Sequence, residues 1–73
     1  MEREIILQKF GENLKRIRES KGLTQEAVAY NSGLSRSYYA EVELGRRNPS
    51  LINLTRIAEA LQQTVSELLI NLS

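Results

Sequence analysis

The chain has 73 residues, ten of them basic and nine acidic, with neither histidine nor cysteine. Disulfides and thiolate metal sites are therefore excluded, and the commonest general base and thiol nucleophile are missing, so catalysis is poorly supplied. Hydrophobic residues make up 41% and charged residues 26% of the chain, the balance of a folded globular domain rather than of a disordered segment.

In chain order, Phe10, Leu14 and Ile17 recur at helical spacing, with Ile6 or Leu7 one turn earlier, which predicts a first helix from about Glu4 to Lys21. The apolar run Ile5-Ile6-Leu7 is too short for a signal-peptide core or a membrane span, so a cytoplasmic protein is expected. Gly22 stands where a helix end places a left-handed residue. Thr24 then caps a second helix, with Gln25 and Glu26 in its first turn and Val28 and Ala29 facing inward, before "NSG" ends it at Gly33. Ser35 caps a third helix that Gly45 closes. Pro49 restricts Asn48 to extended shapes, and Ser50 caps a fourth helix with Leu54, Ile57, Ala58 and Leu61 on one face. "TVSE", Thr64 to Glu67, is a capping box for a short fifth helix with the stripe Val65, Leu68, Leu69 and Leu72. With short connections, no strand-like alternation and no repeat, residues 1–73 read as one compact all-α domain of five helices.

Residues 1–48 hold nine basic and seven acidic side chains, against one and two in residues 49–73, so any phosphate-facing side belongs to the first two-thirds. The carboxylates are scattered among lysines and arginines, and nothing resembles a phosphate loop or a metal-ligand cluster. No enzyme, cofactor, metal or small-molecule ligand is expected. Helices two and three, joined by a tight glycine turn over about residues 24–44, have the form of a helix-turn-helix, a form that helical bundles without DNA also use. On a helical wheel Tyr39 and Val42 share one side of helix three, with Leu34 leading into it, while Arg36, Ser37, Ala40, Glu41 and Leu44 share the other. That outer arc is small or polar for most of its length, which suits approach to a groove floor, and Arg36 has the reach for a guanine edge.

The run "GENLKRIRESKGLTQEAVAYNSGLSRSYYAEVELGRRNPSLINLTRIAEALQQTVSELL" resembles the Cro/CI (XRE) type of helix-turn-helix regulator, through "LTQE", Ala29, Gly33, Glu43-x-Gly45 and "NPSLINL". "FGENLKRIR" and "GRRNPSLINL" are further similar to controller proteins of restriction–modification systems. The resemblance implies a lambda-repressor-like DNA-binding domain. It implies that Arg36 and Ser37 read bases in the major groove, with Ala40 and Glu41 on the same arc, and that Thr24, Gln25, Tyr38, Arg46, Arg47 and Asn48 contact the DNA backbone. Glu41 either accepts from a cytosine amino group, disfavours wrong sequences by repulsion, or stands solvated. Glu43 falls on the inward side of the wheel and Arg18 follows the inward Ile17, so an Arg18–Glu43 ion pair is expected; relatives in the superfamily pair the same positions.

A domain this small reads few base pairs, so a homodimer on a roughly palindromic operator in double-stranded DNA is expected. Helices four and five, about residues 50–72, would supply the interface, with Leu51, Ile52, Val65, Leu69 and Ile70 as its apolar residues. The function expected is sequence-specific transcriptional regulation, with an antitoxin-type repressor or a DNA-free protein adaptor as rivals.

Overall fold

The computed structural model describes residues 2–72 and contains five helices: α1 (Arg3–Ser20), α2 (Gln25–Ser32), α3 (Arg36–Glu43), α4 (Leu51–Ala60) and α5 (Val65–Leu68). Each of the last four opens on a hydroxyl cap. Thr24 accepts from the Ala27 amide, Ser35 from Tyr38, Ser50 from Asn53 and Thr64 from Glu67, all at 3.0–3.1 Å. The Glu67 carboxylate accepts in turn from the Thr64 amide at 2.8 Å, which completes the capping box. Caps of this kind stabilise a helix by about 1 kcal/mol each. They explain why such short helices start where they do.

One apolar cluster joins all five elements. Phe10 and Leu14 come from α1, Val28 and Ala29 from α2, Tyr39 and Val42 from α3, Ile57 and Ala58 from α4, with Leu61 beyond it and Leu68 from α5. α2 packs on both α3 and α4, while α1 packs on α3 and α5. Gly11 permits the α1–α3 approach, because a Cβ there would overlap the Glu43 main-chain carbonyl. Gly45 has φ +77° and lies against the Gln8 backbone, so it serves both the left-handed turn and the contact with α1.

The chain's last turns are held by a residue that the periodicity did not single out. Asn13, buried on α1, donates through Nδ2 to the carbonyls of Leu68 at 3.1 Å and Ile70 at 2.7 Å. Arg16 donates to the Asn13 amide oxygen at 3.1 Å. With those carbonyls taken by α1, α5 stops after four residues, and the continuous stripe expected through Leu72 is not a helix face. Among the described residues no helix is long and apolar enough to cross a membrane.

Candidate nucleic-acid interface

α2 and α3 are joined by a turn in which Gly33 takes φ 71° and the Leu34 amide donates to the Ala29 carbonyl at 2.9 Å. This closes the α2 C-terminus and sends α3 across it. Tyr39 and Val42 are fully buried, which fixes the rotation of α3. Arg36 and Ser37 are consequently exposed at its start, Ala40 and Glu41 are half-exposed in the middle, and Leu44 is 60% exposed at its end. Between Ser37 and Leu44 the outward face carries the small Ala40 and the longer Glu41.

The start of α2 opens beside the start of α3. Arg18, Leu23, Thr24, Gln25, Glu26 and Arg36 line an open recess there. Thr24 caps the Ala27 amide, and the amides of Gln25 and Glu26 belong to the first turn, which has no intrahelical acceptor. Arg36 and the positive end of a helix dipole favour an anion in this recess, whereas the Glu26 carboxylate lies in its lining as well. The Gln25 side chain, however, turns away from solvent and donates through Nε2 to Glu43 at 3.0 Å. One N–H of this amide is therefore engaged inside the protein, and the main-chain amide of Gln25 belongs to the first turn of α2.

Beneath the recess, Arg18 and Glu43 form a two-bond ion pair, Nε to Oε2 at 2.6 Å and Nη2 to Oε1 at 3.1 Å. The two side chains are only 11% and 3% exposed. Arg18 also donates through Nη1 to the Leu23 carbonyl at 2.9 Å. The pair with its neighbours therefore joins α1, the turn before α2, α2 itself and α3. Burial works to raise the Glu43 pKa, but the hydrogen bonds from Arg18 and Gln25, the nearby Tyr39 hydroxyl and the Arg18 charge outweigh it and hold the carboxyl below its ordinary value. The hydrogen bond to Glu43 likewise raises the Arg18 guanidinium. Burial and the Glu43 carboxylate push the Tyr39 phenol far up, so it stays neutral. Its hydroxyl lies near that carboxylate but makes no well-aligned hydrogen bond among the described residues.

At the other end of α3, Glu41 is not a free carboxylate. It accepts from Arg47 Nε at 3.0 Å, and the Arg47 guanidinium lies 5.9 Å from the centre of the Tyr38 ring. Tyr38 is half-buried, and its hydroxyl accepts from Asn53 of α4 at 3.3 Å, leaving its own proton free to donate. Arg46 and Asn48 are exposed on the same loop. The sequence reading gave no signal for the Glu41–Arg47 contact or for the inward turn of Gln25, because both depend on how a loop or a helix start folds back in space.

The apolar residues considered for a dimer divide by exposure. Leu51 is 75%, Ile52 65% and Ile70 52% exposed, and Leu69 is 39% exposed, whereas Val65 is half-buried against the core. Leu69 also lines an apolar groove with Ile6, Leu7, Phe10, Asn48, Pro49, Leu54 and Leu72.

The sequence pattern of the helix-turn-helix family HTH_3 matches residues 14–68. An HTH-type transcriptional regulator of Sinorhizobium fredii, y4dJ, is 51% identical over 51 residues, 70% of this chain and just under two thirds (66%) of that protein. Control protein C.MunI from a Mycoplasma species is 46% identical over 61 residues, covering 82% of both chains. The crystal structure of the restriction-modification controller protein C.AhdI from Aeromonas hydrophila superposes with a TM-score of 0.84 at 50% identity, over 85% of this chain and 94% of that one.

Proposed function

The chain belongs to the HTH_3 helix-turn-helix family, and on that premise we propose that it acts as a homodimer on a roughly two-fold symmetric DNA operator. It is a DNA-binding transcriptional regulator and not an enzyme. The observation that carries the reading is the outward arc of α3, with Arg36 and Ser37 exposed at its start and the anion-suited end of α2 alongside. In this reading Arg36 and Ser37 reach base edges and Ala40 lets the helix approach the groove floor. The main-chain amides after Thr24, the Tyr38 hydroxyl, Arg46, Arg47 and Asn48 meet flanking phosphates and fix the register.

Dimerisation is supported by Leu51, Ile52 and Ile70, which are more than half exposed on a very small domain. Similarity to the control protein C.MunI and the controller C.AhdI supports a narrower role, control of a restriction–modification operon. The place of action is the cytoplasm, where such an operon would be transcribed.

Selection of bound duplexes from random DNA tests the reading. The expected motif has two inverted half-sites whose centres lie about one helical turn, roughly 34 Å, apart, with two protomers on each duplex. An asymmetric single half-site held by one protomer would contradict the dimer.

A further inference from the structure

Glu41 presents a difficulty for the reading above, on which the following inference rests. It lies on the same arc as Arg36, Ser37 and Ala40, where an unpartnered carboxylate would face phosphate and be repelled. Its surroundings resolve the difficulty. At the end of α3 the Gly45 amide donates to the Val42 carbonyl at 3.1 Å and the Arg46 amide to the Glu41 carbonyl at 2.9 Å. These two bonds close the helix and set the direction in which the loop departs. Arg47, the next residue but one after Gly45, folds its side chain back along the arc to Glu41.

The guanidinium is held in two ways at once. Its Nε donates to Glu41 at 3.0 Å, and its central carbon lies over the Tyr38 ring, 5.9 Å from the ring centre. Tyr38 is itself anchored to α4 through Asn53. The two terminal nitrogens, Nη1 and Nη2, make no hydrogen bond among the described residues, so the far end of the planar fork stays open. A fork of this kind matches two oxygens of one phosphate.

We propose that Glu41 is a positioning residue for DNA recognition: it neutralises itself against Arg47 and aims the open end of that guanidinium at one phosphate flanking the base-reading arc. A held arginine fixes the register of the protein on the duplex, whereas a free one takes any phosphate within reach. Removing Glu41 therefore has opposite effects on two kinds of binding. Binding to arbitrary duplex tightens, because a negative charge has gone from the DNA-facing side. Binding to the preferred site gains less or weakens, because the fork is no longer aimed. The ratio between the two falls.

The pair is exposed, at 56% and 38% for the two side chains, so each contact is weak. Two such contacts in a dimer set a loss of about two- to thirty-fold in the ratio. The measurement compares dissociation constants for the duplex selected by the wild-type protein and for a scrambled duplex of equal length. It uses the wild type, E41Q, E41A, R47A and the E41A/R47A double variant, each checked for helical content by circular dichroism. E41A should lower the ratio of preferred to scrambled binding by about ten-fold. E41Q should largely restore it, because an amide oxygen still accepts from Arg47 Nε. In the R47A background E41A should change the ratio no further.

An unchanged ratio in E41A overturns the proposal, as does an E41A effect that persists without Arg47. So does a switch in the preferred base with E41Q in the R47A background, which would make Glu41 a direct reader. A wild-type protein that prefers no duplex removes the regulator reading and this inference together, whereas a wild-type preference with an unchanged ratio removes this inference alone.

Discussion

Replacing Glu43 with alanine is expected to destabilise the domain by about 3–5 kcal/mol, the cost of leaving one charge of a buried pair without its partner. Whole domains are stable by only about 5–15 kcal/mol, with small ones toward the lower end, so the variant should be largely unfolded at physiological temperature. The magnitude follows from burial. Arg18 and Glu43 are 11% and 3% exposed, whereas Arg47 and Glu41 are 56% and 38% exposed. A pair of the second kind contributes about 0.2–1 kcal/mol. Arg18→Ala should be damaging in the same way, since it strands the carboxylate and releases the Leu23 carbonyl. Denaturant titration of both single variants and the double variant measures the coupling. The double variant should lose clearly less than the sum, and additive losses would contradict a shared interaction.

The same pair sets a pH dependence. The folded Glu43 carboxyl has a pKa below its ordinary value of 4.5, so the unfolded chain binds a proton more readily than the folded one. Its stabilisation is full above the unfolded value and is lost as pH falls from there through the folded value. Acid unfolding of the wild type should steepen in that window, and Glu43→Gln should remove that part of the slope.

Affinity for the selected duplex should fall roughly a hundred-fold between about 50 and 200 mM monovalent salt, if Arg46 and Arg47 of two protomers neutralise about four phosphates. The slope of log affinity against log salt would then be about −3.6, against about −1.8 for a single protomer. Arg46→Ala should reduce the slope of the dimer by about 1.8, because each substitution removes two contacts. Arg36→Ala should act differently, by weakening the preferred site far more than it alters the slope, since a base contact releases few counterions. A slope that is flat, or unmoved by Arg46→Ala, would contradict phosphate contact by this loop.

Features set by neighbours three or four residues away could be read from the sequence. Thr24, Ser35, Ser50 and Thr64 cap the helices they precede because a cap is a bond from residue i to the amide of i+3. Gly22, Gly33 and Gly45 all take positive φ where the helices end. The sides of α3 followed from its 3.6-residue period, with Tyr39 and Val42 inward. Apart from the Arg18–Glu43 pair, expected from the wheel and the resemblance, features that depend on distant contacts were not legible. Asn13 reaches carbonyls 55 and 57 residues away. Gly11 looks like an indifferent helix residue until α3 is seen against it. The turn after α4 uses Gln62 at φ 55°, so no glycine marked it. At the candidate interface, Arg36 and Ser37 could be placed from the period alone. The Arg47–Glu41 contact needed the path of the loop, and the Gln25–Glu43 contact needed the packing of α2 against α3.

The reading of DNA sequence by the start of α3 is tested most directly by selecting bound duplexes from random DNA twice, with the wild-type protein and with Arg36→Ala. The wild type should enrich a two-fold symmetric motif, and Arg36→Ala should lose preference at one symmetry-related pair of positions, with an affinity loss of about 1–3 kcal/mol per protomer. A wild type that enriches no motif, or a variant whose motif is unchanged, would contradict it.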